Sequence, residues 1–95
     1  MNTKQAYEEK LKAQLDEWNA RIELLKAKAE NKKADSRVKY NETIEKLQAK
    51  KSLADDRLQE LERASDDAWR DLKGGVESAW DELGSAVKSA WERYK

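Results

Sequence analysis

The side chains in this sequence that could do chemistry are carboxylates, lysines and indoles, because all 95 residues contain neither histidine nor cysteine. That removes an imidazole base, a thiolate nucleophile, a disulfide framework and the ordinary zinc site. Acidic doublets such as Glu8-Glu9, Asp16-Glu17, Asp55-Asp56 and Asp66-Asp67 offer oxygen ligands for a divalent cation. Neighbouring residues on a helix point about 100° apart, however, so a doublet chelates poorly, and no loop carries oxygen ligands at alternate positions. No glycine-rich phosphate loop follows a strand, and no serine stands beside a base. The expectation is a protein with no catalytic residues, no metal site and no cofactor.

Two further groups of side chains could serve binding. Lys26 to Lys51 holds nine basic and four acidic residues, including Lys32-Lys33 and Lys50-Lys51. A nucleic-acid surface would use such a run, but the chain as a whole has 20 basic and 20 acidic residues and no net charge. A solvated helix face is the expectation, and a nucleic-acid partner is not. The other group is Trp18, Trp69, Trp80 and Trp91, three of them at one position of a repeat. Indoles at helical spacing serve a core or a lipid surface.

The elements that must position these groups follow from composition and period. Charged residues make up 42% of the chain and proline is absent, which points to long solvated helices. Positions 7, 11, 15, 18, 22, 25, 29, 33, 36, 40, 44, 47, 51, 54, 58, 61, 65, 69, 72, 76, 80, 83, 87, 91 and 94 are spaced by three or four residues, and 21 of the 25 are apolar or aromatic. The mean step is about 3.6, the period of an α-helix. The exceptions are Lys33, Ser36, Lys51 and Ser65. Among Ile, Leu and Val, only Leu24, Val38 and Leu53 fall off the stripe, so the apolar face is narrow and has coiled-coil character. Leu11 to Ala29 steps as a heptad seam, whereas Trp69 to Tyr94 steps as a hendecad. Beside the hendecad stripe runs a line of small residues, Ala64, Ala68, Gly75, Ala79, Ala86 and Ala90, against which a helix can nest.

The fold class expected is all-α, in a single helical coiled-coil domain spanning 1–95. A long helix of about 3–72 would be followed, after a turn at Gly74-Gly75, by a C-terminal amphipathic helix of about 76–94. Paired glycines in a helix interior cost about 2 kcal/mol relative to alanines, which argues for the turn. Ser65-Asp66-Asp67 could instead cap a new helix, and Ser78-Ala79-Trp80-Asp81 resembles a capping box. A break near 31–36 is the alternative to continuity, as a hairpin turn capped by Asp35 or Ser36. Continuity from 3 to 72 would make a rod of about 105 Å.

A rod cannot cover its own seam, so either the C-terminal helix folds back or other copies pack on it. A homo-oligomer is expected, a dimer or tetramer, through Leu11, Leu15, Trp18, Ile22, Leu25, Ile44, Leu47, Leu58 and Leu61, with Trp69, Leu72, Trp80, Leu83, Val87 and Trp91 closing the C-terminal seam. Residues 1–51 carry net +4 and residues 52–95 net −4, which favours antiparallel pairing. The function expected is that of a scaffold or partner-binding element, with a membrane surface as the alternative ligand of residues 68–95. In that segment five basic residues face five acidic ones, so anionic lipid would add little. The polar start Met1-Asn2-Thr3-Lys4-Gln5 lacks the apolar core of a signal peptide, and Asn41-Glu42-Thr43 matches a glycosylation sequon by chance. A cytoplasmic location is expected.

The segment Asp67-Ala68-Trp69-Arg70-Asp71-Leu72-Lys73-Gly74-Gly75-Val76-Glu77-Ser78-Ala79-Trp80-Asp81-Glu82-Leu83, preceded by a Lys/Glu-rich coiled coil, resembles a group of small bacterial coiled-coil proteins of unassigned function. The resemblance implies a bacterial cytoplasmic origin and no activity. The 11-residue Trp/Leu period is also similar to the amphipathic repeats of exchangeable apolipoproteins, which lie along lipid interfaces.

Overall fold

The structure is a computed structural model that describes residues 3–94. It contains three helices: α1 (Thr3–Glu30), α2 (Ala34–Arg63) and α3 (Trp69–Tyr94). Ion pairs fix their directions. Lys12 near the start of α1 meets Glu62 at the end of α2 at 3.7 Å, and Lys50 of α2 meets Glu82 of α3 at 3.0 Å. Each connected pair is therefore antiparallel and α1 runs parallel to α3, in an up-down-up bundle of 51 × 20 × 18 Å.

The stripe becomes the core. Among the described residues eighteen apolar side chains are buried, and all but Ala79 and Ala90 are stripe positions. The remaining apolar stripe residues, Tyr7, Trp18, Leu72, Trp91 and Tyr94, are partly buried against that core. Leu24, Val38 and Leu53, the three aliphatics off the stripe, are 52%, 57% and 41% exposed. Three of the four polar stripe positions fall at the turns, Lys33 in the first, Ser36 just after it and Ser65 in the second, whereas Lys51 lies within α2.

The expected rod is corrected at both turns, the first of which is the break near 31–36, the alternative to continuity. The helix does not continue from 3 to 72, since the chain reverses at 31–33 and again at 64–68. Neither Asp35 nor Ser36 caps the first turn. Lys33 is the cap residue, with extended backbone (φ −66°, ψ 159°) and no side-chain hydrogen bond to the helix end. The guanidinium of Arg37 instead donates to the carbonyls of Glu30 and Lys32, both at 3.2 Å, neutralising the end of α1. At the second turn Ser65 acts as a helix cap: its Oγ accepts from the Ala68 N–H at 3.1 Å.

The Gly-Gly turn is corrected too, because Gly74 and Gly75 lie inside α3, as does the box-like Ser78 to Asp81. The penalty of about 2 kcal/mol for two glycines is outweighed by burial. Trp69, Val76, Trp80, Leu83 and Val87 are all buried along α3, at about 1.5–3 kcal/mol for each aliphatic side chain alone. Tertiary packing thus carries the helix across its weakest residues.

Candidate interaction faces

The two sides of α3 meet their neighbours differently. Toward α2 it presents alanine: Ala86 and Ala90 line a hollow shared with Thr43, Leu47 and Lys50 of α2. Small side chains let those helix backbones approach closely. Toward α1 it presents the tryptophans. Tyr7 meets Trp69 with ring centroids 5.7 Å apart, and Trp18 meets Trp80 at 6.5 Å. Both pairs are tilted, as aromatic quadrupoles prefer. Gly84, one turn beyond Trp80, makes room for the Trp18 indole: a Cβ at that position would stand 2.9 Å from Trp18 Cζ2. Nothing lies within 4 Å of a Cβ built on Gly74 or Gly75.

Cations border the aromatic line. Lys73 Nζ lies 5.1 Å from the Tyr7 ring and 5.6 Å from that of Trp69. At the other end Lys28 Nζ is 5.1 Å and the Arg21 guanidinium 5.8 Å from the Trp91 ring. Lys28 Nζ also donates to the Tyr94 carbonyl at 3.4 Å, where the end of α3 carries partial negative charge. Tyr40 and Tyr94 stack there at 4.1 Å, and the Thr43 and Tyr94 hydroxyls are 3.2 Å apart.

Two polar groups in the α1–α3 contact stand out. The Tyr7 hydroxyl donates to Glu77 Oε1 at 3.3 Å. Burial, reinforced by the negative charge and hydrogen bond of Glu77 and by the charge of Asp81, pushes the phenol up to about 12. Trp80 Nε1 is buried and has no hydrogen-bond partner. An unsatisfied donor of that kind costs about 1–3 kcal/mol.

Of the seam residues expected from sequence, Leu11, Leu15, Ile22, Leu25, Ile44, Leu47, Leu58, Leu61, Trp69, Trp80, Leu83 and Val87 are buried within the one chain. Trp18, Leu72 and Trp91 are half-buried at its margin. The bundle brings all of them into a single core. Ala29, Tyr40, Ala54, Val76, Ala79 and Ala90 belong there as well. Four of these were stripe positions and two lay in the small-residue line, so the signal that finds them was present.

Chemically the surface is plain. A hollow of about 460 Å³ is an open groove between α1 and α2 lined by Lys26, Glu30, Arg37 and Glu45 among others. Among the described residues no group of three or more acidic side chains could hold a metal ion, and no helix is long and apolar enough to cross a membrane. No protein-family model, no curated protein and no solved structure matches the chain.

Proposed function

We propose that this chain is a non-enzymatic, cytoplasmic scaffold or adaptor that works by pairing apolar helix faces in coiled-coil fashion, with a second copy of itself or with a partner helix. The observation that supports this is the continuity of the seam. Its 3.6-residue phase runs unbroken through both turns, so each helix carries the same kind of apolar face, which a helix of another chain can cover by taking the place of a neighbour. Opposite net charge in the two halves favours antiparallel pairing. The bacterial setting implied by the coiled-coil resemblance fits such a role.

The test is light scattering on the full chain from micromolar to millimolar concentration. The mean mass should rise toward twice the protomer mass. A mass fixed at one protomer throughout would overturn self-association. Leu58→Asp is a poor probe here, because Leu58 is part of the protomer core and its loss unfolds the bundle.

A second reading has its own support. Trp80 Nε1 lacks an acceptor inside the bundle, and an indole at a bilayer interface finds acceptors among headgroup and ester oxygens. A released α3 would place Trp69, Trp80 and Trp91 on one face, with Val76, Leu83 and Val87, toward lipid.

A further inference from the structure

The turn between α2 and α3 has no residue that demands a turn. Ala64-Ser65-Asp66-Asp67-Ala68 contains neither glycine nor proline, and no described residue has a positive φ. The stripe passes through it in phase, from Leu58 and Leu61 to Ser65, Trp69 and Leu72. A helix continued across it would keep the seam on one face. The two turns are held by different means. Arg37 clamps two carbonyls at the first, whereas the second is held by the Ser65 cap and by Lys4 Nζ donating to the Glu62 carbonyl at 3.2 Å.

We propose that two copies of this chain exchange α3 by straightening the 64–68 turn. This rests on the self-association reading above. In each copy α2 and α3 join into one helix from Ala34 to Tyr94, about 90 Å long. Each α3 then docks on the α1–α2 hairpin of the other copy.

The occupant is a second copy because the vacated site is cut to this α3. Gly84 leaves the space that the Trp18 indole fills, one turn beyond the tryptophan it meets, and Glu82 pairs with Lys50. The exchanged helix restores every such contact, so only the turn differs between the two states. Where the joined helices cross, Ala64, Ser65 and Ala68 allow close approach. Mass action favours the bent protomer at low concentration, and it is stabilised further by Asp66 and Asp67 at the positive end of the α3 dipole and by the Ser65 cap.

Two substitutions move the equilibrium in opposite directions. Asp66→Pro places proline just after the cap, where a first helical turn accepts it and a helix interior does not. Ser65→Ala removes the cap, which only the bent form uses. By light scattering Asp66→Pro should stay a protomer at concentrations where the parent dimerises, while keeping its helicity. Ser65→Ala should dimerise at a concentration lower by roughly 25-fold, about fivefold for each of two caps. A parent-like dimer from Asp66→Pro, or no shift in Ser65→Ala, would overturn the exchange and leave association through the outer surface. A parent that never dimerises would overturn the self-association reading itself. Should Asp66→Pro fail to fold, Ser65→Ala decides alone.

Discussion

The indole of Trp18 lies against Trp80 and fills the space left by the missing side chain of Gly84, 2.9 Å from where its Cβ would be. Gly84 has ordinary helical backbone, so its role is steric rather than conformational. The glycines of α3 therefore divide into one that is required and two that are not.

Alanine substitution should separate them. Gly74→Ala and Gly75→Ala add a methyl group in open space and should each raise stability by about 0.5–1 kcal/mol, through helix propensity. Gly84→Ala gains the same propensity but displaces a packed indole, at about 1–3 kcal/mol, and should be neutral or destabilising. Urea unfolding followed by helicity measures all three. A stabilised Gly84→Ala would mean that Trp18 does not pack there.

Tyr7 sets a pH limit. Its phenol is raised from 10.0 unfolded to about 12 folded, so the folded state holds the proton more tightly. Its contribution to stability is complete below pH 10 and is lost as pH climbs from 10 to about 12. Helicity under mild denaturant should fall over that window. In Tyr7→Phe that part of the fall should be absent, and ultraviolet absorbance of the phenolate should lose its highest-pH step. An identical alkaline profile in Tyr7→Phe would place the titration elsewhere.

Lys28 joins α1 to the end of α3. Lys28→Gln keeps most of the stem but gives up the charge over Trp91 and beside the Tyr94 carbonyl. A loss of about 0.5–1 kcal/mol is expected, shrinking in high salt. Chemical unfolding at two ionic strengths reads both effects, and a salt-independent loss would point to packing of the stem instead.

For the lipid reading, vesicles of phosphatidylcholine with brominated chains should quench Trp80 in the full chain only if α3 leaves the bundle. Emission unchanged by excess vesicles would remove that reading. Addition of anionic lipid should alter binding little, since α3 carries nearly balanced charge.

What could be read from the sequence and what could not divide on locality. Every apolar stripe residue reached the core or its edge, and Leu24, Val38 and Leu53 stayed outside, because helical period alone decides which side chains share a face. The turns were harder. A break near 31–36 and a cap at Ser65-Asp66-Asp67 were legible only as alternatives to a continuous helix, and the chain bends at both because bending covers the seam, a quantity no short window contains. Gly74-Gly75 failed in the opposite sense: a strong local breaker lies between Trp69 and Val76, whose burial holds the helix together. The pairing of the α3 tryptophans with Tyr7 and Trp18 was also written in the spacing, since both sets stand eleven residues apart.

That shared spacing makes α1 and α3 two rulers with the same graduation. Tyr7 with Trp69 and Trp18 with Trp80 are both separated by 62 residues, and a slip of one graduation would again set aromatic beside aromatic. What distinguishes the graduations is the residue four places after each tryptophan: Lys73, Gly84 and Lys95. Only the middle one lacks a side chain, and the Trp18 indole occupies the space it leaves. A single hydrogen in place of a side chain thus acts as the zero mark of the scale, adding to the turns that join the helices a steric preference for one alignment.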